Sequence, residues 1–99
     1  MESWEIKEEE PICILGDIAE SNVEAFCLAL ERLPCGSHID MGELSIEDGI
    51  AMACIVSSLR KIRPVVLIEA PQMLAHTLYK THLLSSGFQL IRPREDNDF

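Results

Sequence analysis

The fold follows from a complete strand–helix–strand unit in residues 38–68, HIDMGELSIEDGIAMACIVSSLRKIRPVVLI. HIDM (38–41) is predicted to be a short strand, and LSIEDGIA (44–51) is expected to open a helix that runs to about Ile62. VVLI (65–68) is an unbroken apolar run, which is typical of a strand covered on both sides. A strand, a helix and a second strand in this order predict a right-handed crossover between parallel neighbours.

The chain before this unit predicts a β-hairpin. Trp4 and Ile6 alternate with charged residues, as in a half-buried strand. ICIL (12–15) is a short apolar strand that Gly16 and Asp17 are expected to close. The polar turn between the two pieces favours antiparallel pairing.

Two further helices flank the central unit. The first follows Ser21 or Asn22, either of which can cap it, and ends at 34–36, PCG. The third, roughly Gln72 to Leu84, follows Pro71, which suits a first helical turn. The apolar face of the first helix comprises Val23, Phe26, Cys27, Leu30 and Leu33.

The complete order of elements defines the fold class. FQLIR (88–92) alternates as a last strand, and PREDNDF (93–99) is predicted to be a polar tail. The order ββαβαβαβ predicts an α/β fold whose mixed, mostly parallel sheet is packed by helices. We expect one domain over residues 1–92, since 99 residues suffice to bury a core without staples.

The net charge of −9 limits the possible partners. Nucleic acid is expected to be repelled, because binding it depends on Lys and Arg neutralising phosphates. An anionic membrane surface is repelled for the same reason. A partner selected by charge would therefore be basic, and the alternative is that the charge only maintains solubility.

The four cysteines favour a reducing compartment. Their spacing contains no CxxC pair and no metal-binding pattern. The start MESWEIKEEE has neither the basic region nor the apolar core of a signal peptide, and no apolar run approaches the roughly 20 residues of a membrane span. We expect a cytoplasmic protein with free thiols, most of them buried as small hydrophobic groups. The cysteines are Cys13, Cys27, Cys35 and Cys54.

Motifs for catalysis are weak. The chain has no GxxxxGK[ST] and no GxGxxG. His38, His76 and His82 lack a carboxylate or thiol at a recognisable spacing, so surface positions are expected for them. No metal or cofactor is predicted. A thiol-dependent enzyme that uses Cys35, in an expected exposed loop, is the alternative of another class, and it would need a partnered base.

Glu47 and Asp48 are predicted to stabilise a helix start. Adjacent residues on a helix point about 100° apart, so an acid–base pair is disfavoured. Ser45 followed three residues later by Asp48 resembles a weakened capping box. Both carboxylates would meet the positive end of the helix dipole.

The second helix carries two different faces. An apolar outer surface indicates either that other structure covers it or that it is a docking surface. The bulky stripe expected to face the sheet comprises Met52, Ile55, Val56, Leu59 and Ile62. The opposite side comprises Ile50, Ala53, Cys54, Ser57 and Lys61, apolar in its first half and polar in its second.

Three stretches together resemble a STAS domain, the module of sulfate transporters and anti-sigma-factor antagonists. ILGDI (14–18) is similar to that family's strand-end G-[ED]-[IL], and HIDMGELSIEDGIAMA (38–53) is similar to its D-[LM]-S…D-S-x-G-L entry into the second helix. PVVLIEAPQMLAHTLYKTHL (64–83) resembles its fourth strand and third helix. The resemblance covers roughly residues 4–92 and rests on the order and spacing of these stretches.

This resemblance implies a binding module without enzymatic activity. Such domains hold partners through the second helix and the loop before it. In anti-sigma-factor antagonists, a kinase partner phosphorylates a serine just before that helix and thereby releases the complex. In bacterial lipid-transport complexes, a small cytosolic STAS protein docks instead on the ATPase subunit of an ABC transporter.

The chain departs from the family pattern at the phosphoacceptor. Gly16 with Asp17 matches the family's first turn, Asp40 its acidic strand end, and Gly49 the glycine after the phosphoacceptor. The loop between Asp40 and Gly49 is about two residues shorter than the family's, and Asp48 stands where the serine would be. A serine kinase cannot phosphorylate an aspartate, whose charge partly imitates phosphoserine.

These observations predict a non-catalytic, cytoplasmic regulator that binds a protein partner with a basic face. One alternative is an antagonist-like partner of a kinase-like anti-sigma factor, without its phosphoacceptor. The other is an accessory subunit on a transporter ATPase. Ser45 is the outside candidate for phosphorylation. The predicted partner-binding residues are Glu43, Ser45, Glu47, Asp48, Ile50, Ala53, Cys54 and Ser57.

Overall fold

The computed structural model describes residues 3–9, 11–83 and 86–92. It has the predicted order ββαβαβαβ, which confirms the α/β fold class. The predicted tail, 93–99, lies outside the described residues. The elements are β1 (Trp4–Lys7), β2 (Ile12–Ile18), α1 (Val23–Leu30), β3 (His38–Ile46), α2 (Gly49–Lys61), β4 (Val65–Ile68), α3 (Gln72–Lys80) and β5 (Phe88–Ile91).

The sheet has five strands in the sequential order β1-β2-β3-β4-β5. The pair β1–β2 is antiparallel, which confirms the predicted opening hairpin, and the other three pairs are parallel. Parallel crossovers are right-handed in nearly all proteins, and three of them that step in one direction put their helices on the same face of the sheet. The helices pack in the order α1, α2, α3 across that face.

One aliphatic core fills the space between the sheet and the helices. Phe26 of α1 is fully buried, and the indole of Trp4 meets its ring edge to face at a centroid distance of 5.3 Å. The bulky stripe of α2 faces this core as predicted. The strand residues in the core include Ile12, Ile14, Ile39, Met41, Val65, Leu67 and Phe88, which alternate along their strands.

The expectation that β4 is covered on both sides is wrong. Val65 and Leu67 point towards the helices, and Val66 is only half-buried on the other face. In the described part of the chain, no helix covers that second face, which we call the open face. Ile68 also lies there, between Asp40 of β3 and Ile91 of β5 in the strand register, and is buried.

Strand β3 is longer than the predicted HIDM. It runs through Ile46, so the letters LSI of LSIEDGIA belong to the strand and not to the helix. The register with β2 steps from Cys13–Asp40 to Leu15–Glu43, which inserts one extra residue in β3. Such a bulge reverses the alternation of the strand, and Leu44 is therefore buried.

Strand β2 is also longer than predicted. Gly16 and Asp17 do not close it, because it continues to Ile18. Gly16 has φ +122°, a conformation that other residues rarely adopt. A Cβ atom there would lie 2.5 Å from Cα of Trp4, so glycine is what lets β1 approach.

The remaining boundaries differ from the predictions by a few residues. Helix α2 ends at Lys61. Helix α3 ends at Lys80, and Thr81 is its C-cap. The predicted α3 end at Leu84 lies outside the described residues. Strand β5 ends at Ile91. No helix in the described ranges is long and apolar enough to cross a membrane.

Candidate functional site

Asp48 is the N-cap of α2, with extended backbone angles and its side chain turned back onto the helix. Its Oδ1 accepts a hydrogen bond from the Ala51 N–H at 2.7 Å. This corrects the predicted capping box, because Ser45 lies in β3, three residues before the cap. Asp48 caps the helix by itself, whereas the prediction had Ser45 and Asp48 capping it together.

The second carboxylate oxygen of Asp48 joins two loops at the carboxyl edge of the sheet. Its Oδ2 accepts from the Glu20 N–H at 2.9 Å, in the loop between β2 and α1. The Ala51 N–H, followed by the Glu20 N–H, holds the pKa of the Asp48 carboxyl below its usual range. The carboxylate is therefore a fixed structural acceptor, already occupied by two donors.

The loop after β2 is held by Asn22, although not as a helix cap. Asn22 occupies the N-cap position of α1, but its side chain makes no cap hydrogen bond. Its Oδ1 instead accepts from Ala19 N–H at 2.8 Å, and its Nδ2 donates to Ser3 Oγ and to the Asp17 carbonyl. These bonds fix the backbone that presents the Glu20 N–H to Asp48.

The predicted partner-binding residues do not all share one face. The β3 bulge places the exposed side chains of Glu43 and Ser45 on the open face, opposite the helices. Glu47 is exposed in the short connection that follows, and its N–H donates to the Ile18 carbonyl at 2.8 Å. The structure brings the remaining residues together at the start and on the outer side of α2.

The outer face of α2 is exposed, which is one of the two alternatives that the sequence pattern left open. Ile50 retains 55% of its accessible surface, and Ala53, Cys54 and Ser57 are also exposed. The opposite stripe of the same helix lies in the core. In the described part of the chain, nothing covers the outer face, so the alternative of an overlying segment finds no support there.

A groove between α1 and α2 continues this surface. It has a volume of about 340 Å³, and its lining includes Val23, Cys27 and Leu28 from α1 and Cys54 from α2. Leu28 is 61% exposed. Leu28 was not among the predicted binding residues, although a leucine outside the apolar stripe of α1 is a signal that would have marked it.

A polar bridge spans one end of the groove. Ser58, which is almost fully buried, donates to Glu31 Oε2 at 2.7 Å, and Lys61 Nζ lies 3.4 Å from Glu31 Oε1. The Ser58 hydroxyl, with a smaller contribution from Lys61, lowers the pKa of the Glu31 carboxyl. Neither Glu31 nor Ser58 stood out in the sequence.

The four thiols are free and differ in exposure. Cys27 is buried and Cys13 half-buried, whereas Cys35 and Cys54 are exposed, so burial is not the rule for them. Burial raises the pKa of the Cys27 thiol. Burial, followed by the charge of Asp40, raises that of Cys13. In the described ranges, no hydrogen bond reaches the Cys35 thiol, so no base partners it there.

The histidines form no cluster. His38, His76 and His82 are exposed, as predicted. His38 begins β3, and the other two lie on α3 and just after it. The described residues contain no group of three or more His, Cys, Asp or Glu side chains that could hold a metal ion.

Comparison with known proteins adds no family assignment. No protein-family model matches the chain, and no curated protein matches it.

Proposed function

We propose that this protein is a non-catalytic, STAS-like binding module that holds a basic protein partner on the outer face of α2. The observation that carries the proposal is the exposed apolar stripe of that helix, led by Ile50. An exposed aliphatic residue next to small neighbours is the kind of anchor that a partner buries. The opposite side of α2 is the one that packs into the core.

Charge complements the apolar stripe. Residues 47–59 contain Glu47 and Asp48 and no Lys or Arg, and the cations of α2, Arg60 and Lys61, lie in its last turn. With a net charge of −9, the chain attracts cationic partners over long range and orients them on approach. The acidic start of α2 supplies orientation, while Ile50 supplies desolvated contact.

The element order and the position of Asp48 support the STAS-like assignment. The observed order ββαβαβαβ contains the strands and helices in which the three similar stretches lie. The residue that stands in place of the phosphoacceptor caps the second helix in this chain. In the proposed module, the position is a fixed cap and not a phosphorylation switch.

The occupied carboxylate of Asp48 favours constitutive docking over release by phosphorylation. A module without the switch suits an accessory subunit that stays on the ATPase of a lipid transporter. It also suits an antagonist-like protein that remains in its bound state on a kinase-like anti-sigma factor. The identity of the captured partner separates these two candidates.

The test is capture of the partner by the intact chain and by two matched variants. Ile50→Lys is expected to abolish capture with little change in melting temperature, because exposed substitutions usually alter the free energy of unfolding by less than about 0.5 kcal/mol. Met73→Lys, a change at a 66% exposed residue of α3, is the control that should retain capture. Capture unaffected by Ile50→Lys, or equal loss in both variants, would refute the proposed surface.

A further inference from the structure

The docking surface extends from α2 across the groove to α1. The floor of the groove is apolar, since it is formed by Val23 and Cys27. These two residues are 5% and 8% exposed. Leu28 stands exposed on the α1 side, and Cys54 on the α2 side. Ile50 precedes Cys54 by one helical turn and so extends the same strip beyond the groove.

The backbone around the groove selects the kind of segment that fits it. Both walls are helices, whose internal N–H and C=O groups are already paired and offer no strand edge. A segment entering an apolar groove must therefore satisfy its own backbone, because unpaired polar groups are costly there. An α-helix does so, and helices pack by placing side-chain ridges into such grooves.

The length of the walls limits the length of that helix. Helix α1 has 8 residues and α2 has 13. At 1.5 Å per residue, these correspond to about 12 Å and 20 Å. A partner helix of about three turns covers the strip.

The charge around the groove selects a cationic partner. Residues 20–31 contain Glu20, Glu24 and Glu31 and no Lys or Arg. The start of α2 is acidic as well, and its two cations, Arg60 and Lys61, lie in the last turn, where Lys61 is beside Glu31. A second copy of the chain also carries a net charge of −9, so repulsion disfavours it as the occupant.

We propose that the groove between α1 and α2 receives a basic amphipathic helix of the partner protein, with Leu28 and Ile50 as its apolar contacts. The inference rests on the proposed function, because it specifies the partner segment for the same α2 surface. It adds α1 to the site and gives Leu28 a binding role.

The direct experiment uses synthetic peptides. The probe is a Leu/Lys peptide of about 18 residues with helical periodicity, or about five turns. A peptide of the same composition in scrambled order and a Leu/Glu peptide of the same pattern are the controls. Binding is followed by fluorescence anisotropy and located by amide chemical-shift changes in the labelled protein.

The Leu/Lys helix is expected to bind and to shift the amides of α1 and α2. Leu28→Ser should weaken peptide binding about 5- to 20-fold, because Leu28 is 61% exposed and the peptide would bury that apolar surface. Met73→Ser, at a comparably exposed residue of α3, should leave the affinity unchanged. Absence of binding, shifts on the open face of the sheet, or equal binding of the scrambled or Leu/Glu peptide would overturn the inference.

The effects of two variants on partner capture distinguish a failure of this inference from a failure of the proposed function. If Ile50→Lys abolishes capture and Leu28→Ser leaves it intact, α2 binds the partner but the groove does not receive it. If neither variant affects capture, the proposed function itself fails. Loss in both, with Met73→Ser unaffected, supports the extended site.

Discussion

Replacing Asp48 tests whether one side chain fixes both the start of α2 and the neighbouring loop. Its carboxylate accepts from the Ala51 N–H and the Glu20 N–H at 2.7 and 2.9 Å. In a domain of this size, a typical cap or a typical hydrogen bond corresponds to about 4–8 °C in melting temperature. Asp48→Ala, which removes both bonds, is expected to lower the melting temperature by about 8–16 °C if the two bonds act independently.

Asp48→Ser separates the two bonds. Serine is as good an N-cap as aspartate, but its single oxygen replaces only the acceptor for Ala51. The Glu20 N–H then loses its partner, and the expected fall is about half that of the alanine variant. Thermal unfolding followed by circular dichroism, at pH 7 and moderate salt, measures both variants.

The pH dependence has a defined sign. The pKa of the folded Asp48 carboxyl lies below its unfolded value, so its contribution is fully present above about pH 4. The contribution is lost as the pH falls through the folded pKa. The difference in melting temperature between wild type and Asp48→Ala should therefore be full at pH 7 and shrink as the pH is lowered below about 4.

Ser45→Ala is the matched control. Ser45 is exposed in β3 and caps nothing, so its substitution should change the melting temperature by less than about 4 °C. If Ser45→Ala destabilised the protein as much as Asp48→Ala, the helix would start with a capping box at Ser45. A melting temperature unaffected by Asp48→Ala would show that neither hydrogen bond matters for stability.

Two further predictions concern the hairpin and the thiols. Gly16→Ala should reduce the free energy of unfolding, measured in urea, by at least about 1–2 kcal/mol, which is the cost of its positive φ alone. The close contact with Trp4 should add to this loss. A change below about 0.5 kcal/mol would contradict the tight approach of β1. Cys35 and Cys54 should react with iodoacetamide in the native protein, whereas Cys27 should react only in denaturant, as mass spectrometry of the labelled peptides can show; equal labelling of Cys27 in the native state would mean that the α1–α2 interface opens readily.

Periodicity was sufficient for the elements and for the faces of α2. Ile55 and Leu59 recur at helical spacing and are buried, while Ile50 on the opposite side is exposed. A helix on a sheet must bury one stripe, so spacing alone separates the two faces. The element order then restricts the topology, because parallel crossovers have one hand.

Periodicity failed where strands continue through glycine or reverse their alternation. Gly16 was expected to close β2, and β3 was expected to end at Met41, just before Gly42, yet both glycines lie inside strands. At Gly16 the neighbouring strand needs space, and beside Gly42 an extra residue forms the β3 bulge. Both causes lie in pairing with another strand, which a single segment does not record.

Sequence patterns were enough for the α/β class, the opening hairpin followed by three crossovers, the acidic character and the two faces of α2, but they left open whether the outer face is covered. The hydrogen bond from the Glu20 N–H to the capping carboxylate of Asp48 emerges only from the packing of the folded chain, because it joins residues 28 positions apart. Strand pairing also places Ser45 on the open face, and helix packing puts Leu28 and Cys54 on the two walls of one groove. Local patterns determine which side of an element is buried, whereas packing between elements determines which exposed side chains become neighbours.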